Sequence, residues 1–194
     1  IPIIASDGIA LELLRKEFPN VQTLELPSYQ IEYAKNGANF KWKLIKNGPK
    51  MIRAILEEKK IIQNWIEKYA IDGIISDNRL GVFSKKVPSV FITHQLNVMT
   101  GNTTWITSKI HQSIIKKYTE CWVPDLSGTP NLTGKLGHID NPNLKTKYIG
   151  PLSRLQKKLL PKKYDLLVIL SGPEPQRGML EKHLKEEIVN YSGN

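Results

Sequence analysis

Short runs of β-branched and aliphatic residues alternate along this chain with stretches of helical periodicity, and that alternation is its strongest constraint on fold. A strand, helix, strand rhythm hides its apolar faces by laying helices against a parallel sheet. Ile1–Ala5 and Val21–Leu26 read as strands. Between them a helix is expected over Ile9–Phe18, capped by Ser6-Asp7-Gly8 and stopped by Pro19. The longest helix is expected from Pro49, a residue tolerated at the first helical position, to about Tyr69. Met51, Ile52, Ile55, Leu56, Ile62, Trp65, Ile66 and Tyr69 form its apolar stripe. Strands follow at Ile71–Ser76, Ser89–Thr93, Glu120–Val123 and Lys147–Ile149, with a helix marked by Trp105, Ile106, Ile110, Ile114 and Tyr118.

Beyond Lys147–Ile149 the pattern changes. Gly150-Pro151-Leu152-Ser153 and the basic Lys157–Lys163 stretch read as a linker. Tyr164–Leu170 is a buried strand by composition, Pro175–Tyr191 a helix, and Ser192-Gly193-Asn194 a turn. The loop from Asp125 to Thr146 is rich in Gly, Pro, Asn and Thr, and its length suits a functional or mobile segment.

Composition excludes several classes. With 194 residues and 40% hydrophobic content, the chain has enough apolar material for a core. Its longest aliphatic run, Leu166–Leu170, is too short to cross a bilayer. The lone Cys121 permits neither an internal disulfide nor a cysteine-based zinc cage, and suits a core position in a reducing compartment. No Asp-x-Asp pair or His-Glu-x-x-His motif is present, so no metal site is expected. The net charge of +10 is uneven: Lys35–Lys60 holds eight cations against Glu57 and Glu58, with Phe40, Trp42, Leu44 and Ile45 among them. Such a stretch suits peripheral contact with an anionic membrane, phosphate contacts on a nucleic acid, or an ordinary solvated face.

In an open parallel sheet, ligands bind beyond the carboxyl ends of the strands. Four polar clusters fall at such ends: Ser6-Asp7-Gly8, Ser76-Asp77-Asn78-Arg79, Thr93-His94-Gln95 and Ser171–Arg177. Ser76–Arg79 offers a carboxylate, an amide and a guanidinium, a set suited to hydroxyl-rich ligands. Its bland alternative is Asp77 capping the next turn and pairing locally with Arg79. His94 is placed to act as base or hydrogen-bond donor, or simply to bridge loops. His138 lines a cleft or sits in solvent, and His111 and His183 are expected to be structural or surface residues. Ser171-Gly172-Pro173-Glu174-Pro175-Gln176-Arg177 leads into a helix whose free N–H groups suit a phosphate, with Arg177 as a charged donor. It matches neither G-x-G-x-x-G nor the P-loop pattern.

Ile74–Gly81, Phe91–Asn97, Tyr148–Ser153 and Val168–Arg177 together resemble segments of GT-B glycosyltransferases related to the enzyme that adds N-acetylglucosamine to the lipid-linked peptidoglycan precursor. The resemblance implies an α/β fold. Residues 1–150 would be an acceptor-side Rossmann-like domain lacking its first strand, and 151–194 a linker and the first strand-helix unit of a nucleotide-sugar domain. It places Ser76, Asp77, Asn78, Arg79, Thr93, His94 and Gln95 on the acceptor side. Ser171, Gly172, Glu174, Gln176 and Arg177 fall near the diphosphate of the donor. The implied reaction moves a sugar from a nucleotide sugar, usually UDP-linked, to a hydroxyl of a glycan or lipid-linked acceptor, without metal or resident cofactor. The family's candidate base would precede Ile1 and its later donor loops would follow Asn194, so this segment alone is expected to be inactive. His94 and Asp77 are the remaining candidates for the base. The implied location is cytoplasmic, peripheral on the inner face of the membrane, in cell-envelope polysaccharide synthesis. A nucleotide-sugar epimerase shares the architecture, and a basic nucleic-acid-binding module is the non-enzymatic alternative. Concentration of most of the excess charge in Lys35–Lys60 favours an anionic membrane or acceptor over nucleic acid.

Overall fold

The computed structural model describes residues 1–29, 40–139, 141, 143–172 and 174–189; within α2 the side chains of 40–47 are outside the description. Two compact units emerge, one formed by Ile1–Ser28 with Met51–Arg154, the other by Tyr29–Lys50 with Leu155–Asn194.

The first unit is α/β with two parallel ladders. β1 (Ile3–Ser6) pairs with β2 (Gln22–Glu25), joined by α1 (Gly8–Glu17). A four-stranded sheet follows in the order β3 (Ile74–Asp77), β4 (Ser89–Ile92), β5 (Glu120–Val123), β6 (Thr146–Tyr148), every pair parallel. α3 (Thr104–Ile115) makes the crossover from β4 to β5. The parallel α/β character expected from the alternating pattern is therefore present and consistent with a Rossmann-like architecture, with the strands divided between two ladders rather than one sheet.

Side chains alternate along the strands, as the two-residue period requires. Phe91, Cys121 and Val123 point into one core with Phe83, Leu96, Ile115, Tyr118 and Leu144. Tyr118 stacks at a tilt on both Phe83 and Phe91, with centroids 5.0 and 4.9 Å away. Burial pushes the Cys121 thiol up to about 12, as suits an inert core cysteine.

α2 (Phe40–Lys68) departs from its expected start, because Pro49 lies inside it. Proline forfeits one i→i−4 hydrogen bond, a local cost of about 3 kcal/mol, and does not by itself set a helix boundary. The buried stripe also differs. Ala54, Glu58, Ile62 and Ile66, four residues apart, face inward, whereas Ile52 and Leu56 are exposed. Ile62 and Ile66 pack with Leu26, Ile74 and Val82 in a second core. The stripe is rotated because Glu58 has charged and backbone partners below it, described in the next subsection.

β3 begins at Ile74 rather than Ile71. Ala70 turns into the left-handed region (φ 48°), and the Ile71 N–H closes back on the Ile66 carbonyl, so Ile71 still belongs to the helix end.

In the second unit, α4 (Gln176–Ile188) forms where a helix was expected. Tyr164–Leu170 does not form the expected buried strand. Its residues have no strand partner among the described residues, and Leu166, Leu167, Val168 and Ile169 are exposed. A strand's N–H and C=O groups need a neighbouring ladder, and without one the aliphatic sequence gains nothing from extension. The turn expected at Ser192–Asn194 lies outside the described residues.

Candidate functional site

The carboxyl ends of β3 and β4 lie side by side, which brings Asp77–Arg79 next to Thr93–Gln95. The Asn78 N–H bonds the Ile92 carbonyl at 3.0 Å, extending the ladder one step past the strands. Asn78 takes a left-handed backbone (φ 55°), a conformation that asparagine tolerates better than most residues.

These residues divide into two sets. Ser76 and Thr93 are buried and engaged internally. Ser76 Oγ donates to the Arg79 carbonyl at 2.7 Å. Thr93 Oγ1 lies 3.3 Å from Asn78 Oδ1 and accepts the Gln95 N–H at 3.0 Å. By contrast, Asp77 and His94 are exposed and Gln95 is half-buried. The first set shapes the loops, and the second is open to solvent at their surface.

Arg79 belongs to the shaping set and not to the rim. Its Nε donates to Glu58 Oε1 and its Nη1 to Asp7 Oδ1, each at 2.6 Å, and Nη2 reaches the Pro27 carbonyl. The local Asp77–Arg79 pair considered from sequence is replaced by this longer-range one. Burial works against the guanidinium's charge, but Glu58 and then Asp7 outweigh it and raise its pKa. Asp7 sits at the N-cap of α1 without capping it, its carboxylate being held by Arg79. Glu58, fully buried, also accepts the Gly81 N–H at 3.1 Å. Gly81 is required there, since a Cβ would lie 2.5 Å from the Ile55 carbonyl and 2.6 Å from Glu58 Oε2. The ends of β1 and β3 are thereby fastened to α2.

His111 reaches from α3 to the same rim. Its Nε2 donates to the Gln95 carbonyl at 3.0 Å, and burial lowers its pKa despite that bond.

A second group forms at the end of β5, which sequence reasoning did not assemble. Asp125 is fully buried, and Oδ1 accepts the N–H groups of Leu126 and Leu132 at 2.7 and 2.9 Å. Oδ2 accepts the Thr133 N–H at 2.9 Å, the Thr133 hydroxyl and His138 Nε2 at 3.2 Å. Burial would raise this carboxyl's pKa, but the Thr133 hydroxyl and the three N–H groups outweigh it and hold it well below the usual carboxylate range. The His138 ring stacks on Tyr148, with centroids 4.8 Å apart and planes 14° apart. The only sequence signal was Asp at a strand end before a Gly/Thr/Asn-rich loop, the type of residue that collects nearby N–H groups.

The two loops are tied together. Leu96 and Asn97 N–H groups share the Leu136 carbonyl at 2.8 and 3.0 Å, and Asn97 Nδ2 donates to the Lys135 carbonyl at 2.6 Å. Gly137 lies against the His94 carbonyl, 2.9 Å from where a Cβ would stand. Protein-family models and curated protein sequences give no match to this chain.

In the second unit the Ser171–Arg177 turn is already self-satisfied in part. Glu174 Oε1 accepts from Arg177 Nε at 2.9 Å and Glu174 Oε2 accepts the Gly178 N–H at 3.1 Å, so a carboxylate of the chain occupies the N-terminus of α4. Gly172 supplies a positive φ of 113° in the turn, and Ser171 is exposed. Gln176 opens α4.

Of the basic stretch Lys35–Lys60, Lys35 and the side chains of Lys41, Lys43 and Lys46 lie outside the description. Lys50, Arg53, Lys59 and Lys60 are exposed; Arg53 pairs with Glu57 at 3.1 Å, and Lys59 Nζ sits 5.6 Å over the Phe83 ring. No described helix is long and apolar enough to cross a membrane, and no described group of three His, Cys, Asp or Glu residues gathers to hold a metal. A small cleft of about 150 Å³ opens at the opposite, amino end of β5, lined by Ile115, Thr119, Glu120, Leu144 and Lys145. That volume is below what a nucleotide or sugar nucleotide fills.

Proposed function

We propose that the chain is part of a GT-B glycosyltransferase that moves a sugar from a UDP-linked donor to an acceptor hydroxyl. One observation carries the reading: Asp77, Asn78, His94 and Gln95 present polar side chains at the carboxyl ends of two adjacent parallel strands, over a scaffold that Ser76, Thr93, Arg79 and Glu58 hold by internal bonds. A carboxylate, two amides and an imidazole on a fixed rim suit the hydroxyls of a glycan or lipid-linked acceptor. The motifs quoted above give the same assignment.

On the donor side, Ser171, Gly172, Gln176 and Arg177 would meet the diphosphate. A diphosphate arriving at the N-terminus of α4 would displace the Glu174 carboxylate, taking over both the Gly178 N–H and the Arg177 guanidinium. The nucleotide sugar is a substrate in this reading, and no resident cofactor enters it. Exposed Lys50, Arg53 and Lys60 would draw the enzyme peripherally to an anionic membrane carrying its acceptor, at the cytoplasmic face.

Calorimetric titration with UDP and UDP-sugars tests the reading. Binding of uridine nucleotides is expected. Indifference to every uridine nucleotide would contradict it.

A further inference from the structure

We infer that the outward face of α3 seats the chain on an anionic lipid bilayer. The surface is read from α3 itself. Its purpose, bringing a lipid-linked acceptor to the rim, rests on the glycosyl-transfer reading above.

α3 is turned inside out. A helix on a globular protein ordinarily sends its apolar stripe to the core and its polar side chains to water. Here the inward side is mostly polar: Ser108 is buried and His111 and Gln112 are half-buried, beside the fully buried Ile115. These polar groups hold the loop that follows β4. Ser108 Oγ accepts the Val98 N–H at 3.0 Å, His111 Nε2 donates to the Gln95 carbonyl at 3.0 Å, and Gln112 Nε2 donates to the Leu96 carbonyl at 3.3 Å. Trp105, Ile106 and Ile110, which the periodicity marks as apolar helix positions, lie in water instead, with Trp105 63% and Ile110 57% exposed. Met99, just before the helix, is exposed as well. Positions 105, 106, 109 and 110 share one side of a helix, so these residues form a single stripe with Lys109. An apolar stripe left in water marks an interaction surface.

The surrounding charge says what covers it. Residues 78–119 hold six Lys or Arg and no Asp or Glu. Of these, Lys109, Lys116 and Lys117 are exposed on α3 and the turn that ends it, and they pair with no carboxylate among the described residues. Lys109 Nζ lies 5.5 Å over the Trp105 ring. An indole settles at the headgroup level of a bilayer, isoleucines enter the acyl boundary, and ammonium groups meet lipid phosphates. At about 1.5 Å per residue α3 is about 18 Å long, so it lies in the interface plane rather than across the bilayer. A second copy of the chain fits less well, since a two-fold contact through α3 would join two faces that carry lysines and no carboxylate. A nucleic acid would meet the lysines but leave Ile106 and Ile110 without an apolar partner. Because α3 is bonded to the Gln95–Val98 loop, docking would hold the rim beside the bilayer.

Co-sedimentation of the full chain with phosphatidylcholine vesicles, with and without phosphatidylglycerol, tests the inference. Binding is expected with phosphatidylglycerol and should weaken by about tenfold or more without it, each lysine near the surface contributing about fivefold. Trp105→Glu/Ile110→Glu should lower vesicle affinity on the order of 100-fold with an unchanged urea midpoint, since both side chains are already exposed. Trp105→Phe covers the case in which that variant misfolds. It should still bind, yet lose most of the tryptophan quenching that brominated phosphatidylcholine produces in the wild-type chain.

Unchanged vesicle affinity in a folded Trp105→Glu/Ile110→Glu variant overturns the inference, as does equal quenching in Trp105→Phe. A dimer in sedimentation equilibrium that the glutamate variant dissolves, without vesicle binding, overturns it in favour of self-association. A chain that binds uridine nucleotides but no vesicle overturns it and leaves the transferase reading standing. A chain that docks through α3 yet ignores every uridine nucleotide supports the surface and removes the transferase reading.

Discussion

β5 and the Tyr164–Leu170 segment make an instructive pair. Both are short, both are mostly apolar, and both were expected as strands, Tyr164–Leu170 as a buried one. Glu120–Val123 has ladder neighbours on either side and puts Cys121 and Val123 at 1% and 0% exposure. Leu166–Ile169 lacks a neighbouring strand among the described residues and remains exposed, Ile169 at 81%. Aliphatic composition marks a segment as able to enter a sheet; the neighbours decide whether it does.

Substitutions test that contrast, beginning where the effect is largest. Phe91→Ala in β4 removes a fully buried ring that packs on Tyr118, and should cost about 3–5 kcal/mol in urea denaturation. Arg79→Ala leaves the Glu58 carboxylate buried without its guanidinium, so a loss of about 3–5 kcal/mol is expected, with a lower midpoint and unchanged slope. If Arg79→Ala proves neutral, the fastening of α2 to the ends of β1 and β3 is wrong. Gly81→Ala drives a methyl group into the α2 backbone and should cost about 1–3 kcal/mol by forcing the loop away.

Acid titration gives the next prediction. The Asp125 pKa is lowered in the folded state, so its contribution is fully present above the ordinary carboxylate range and is lost as pH falls from about 4 toward the lower folded value. Asp125→Asn should flatten that part of the stability curve, and an unchanged acid limb would count against the carboxylate's role. The smallest effect is reserved for the other region. Ile169→Ala should change stability by less than about 0.5 kcal/mol, because the side chain is already in water. A loss near that of Phe91→Ala would erase the contrast.

Much of the first unit was legible from local pattern. β5 has the bounds its composition suggested, β4 differs by one residue, and the polar clusters at the ends of β3 and β4 are adjacent as a parallel sheet requires. What could not be read locally depends on partners far apart in sequence. Glu58 looks like one charge on an amphipathic helix until Arg79, 21 residues on, and Gly81 bring it inward. Arg79 looks like a ligand-binding guanidinium until Asp7, 72 residues away, occupies it. The Asp125–His138 contact spans a loop whose path depends on tertiary bonds, among them those to Leu136 and Lys135. Similarly, Glu174, expected from the resemblance near the donor diphosphate, accepts the Arg177 Nε–H and the Gly178 N–H at the start of α4, bonds that the sequence does not display.

The most direct test of the central claim is calorimetric titration of an octyl glycoside acceptor into the wild-type chain and into an Asp77→Ala/His94→Ala double variant. Both side chains are exposed and support no internal bond among the described residues, so folding should be unaffected. If the rim at the ends of β3 and β4 holds the acceptor, its affinity falls by about tenfold or more, about 1.4 kcal/mol of lost binding. An undiminished affinity in a folded double variant would show that the acceptor binds elsewhere.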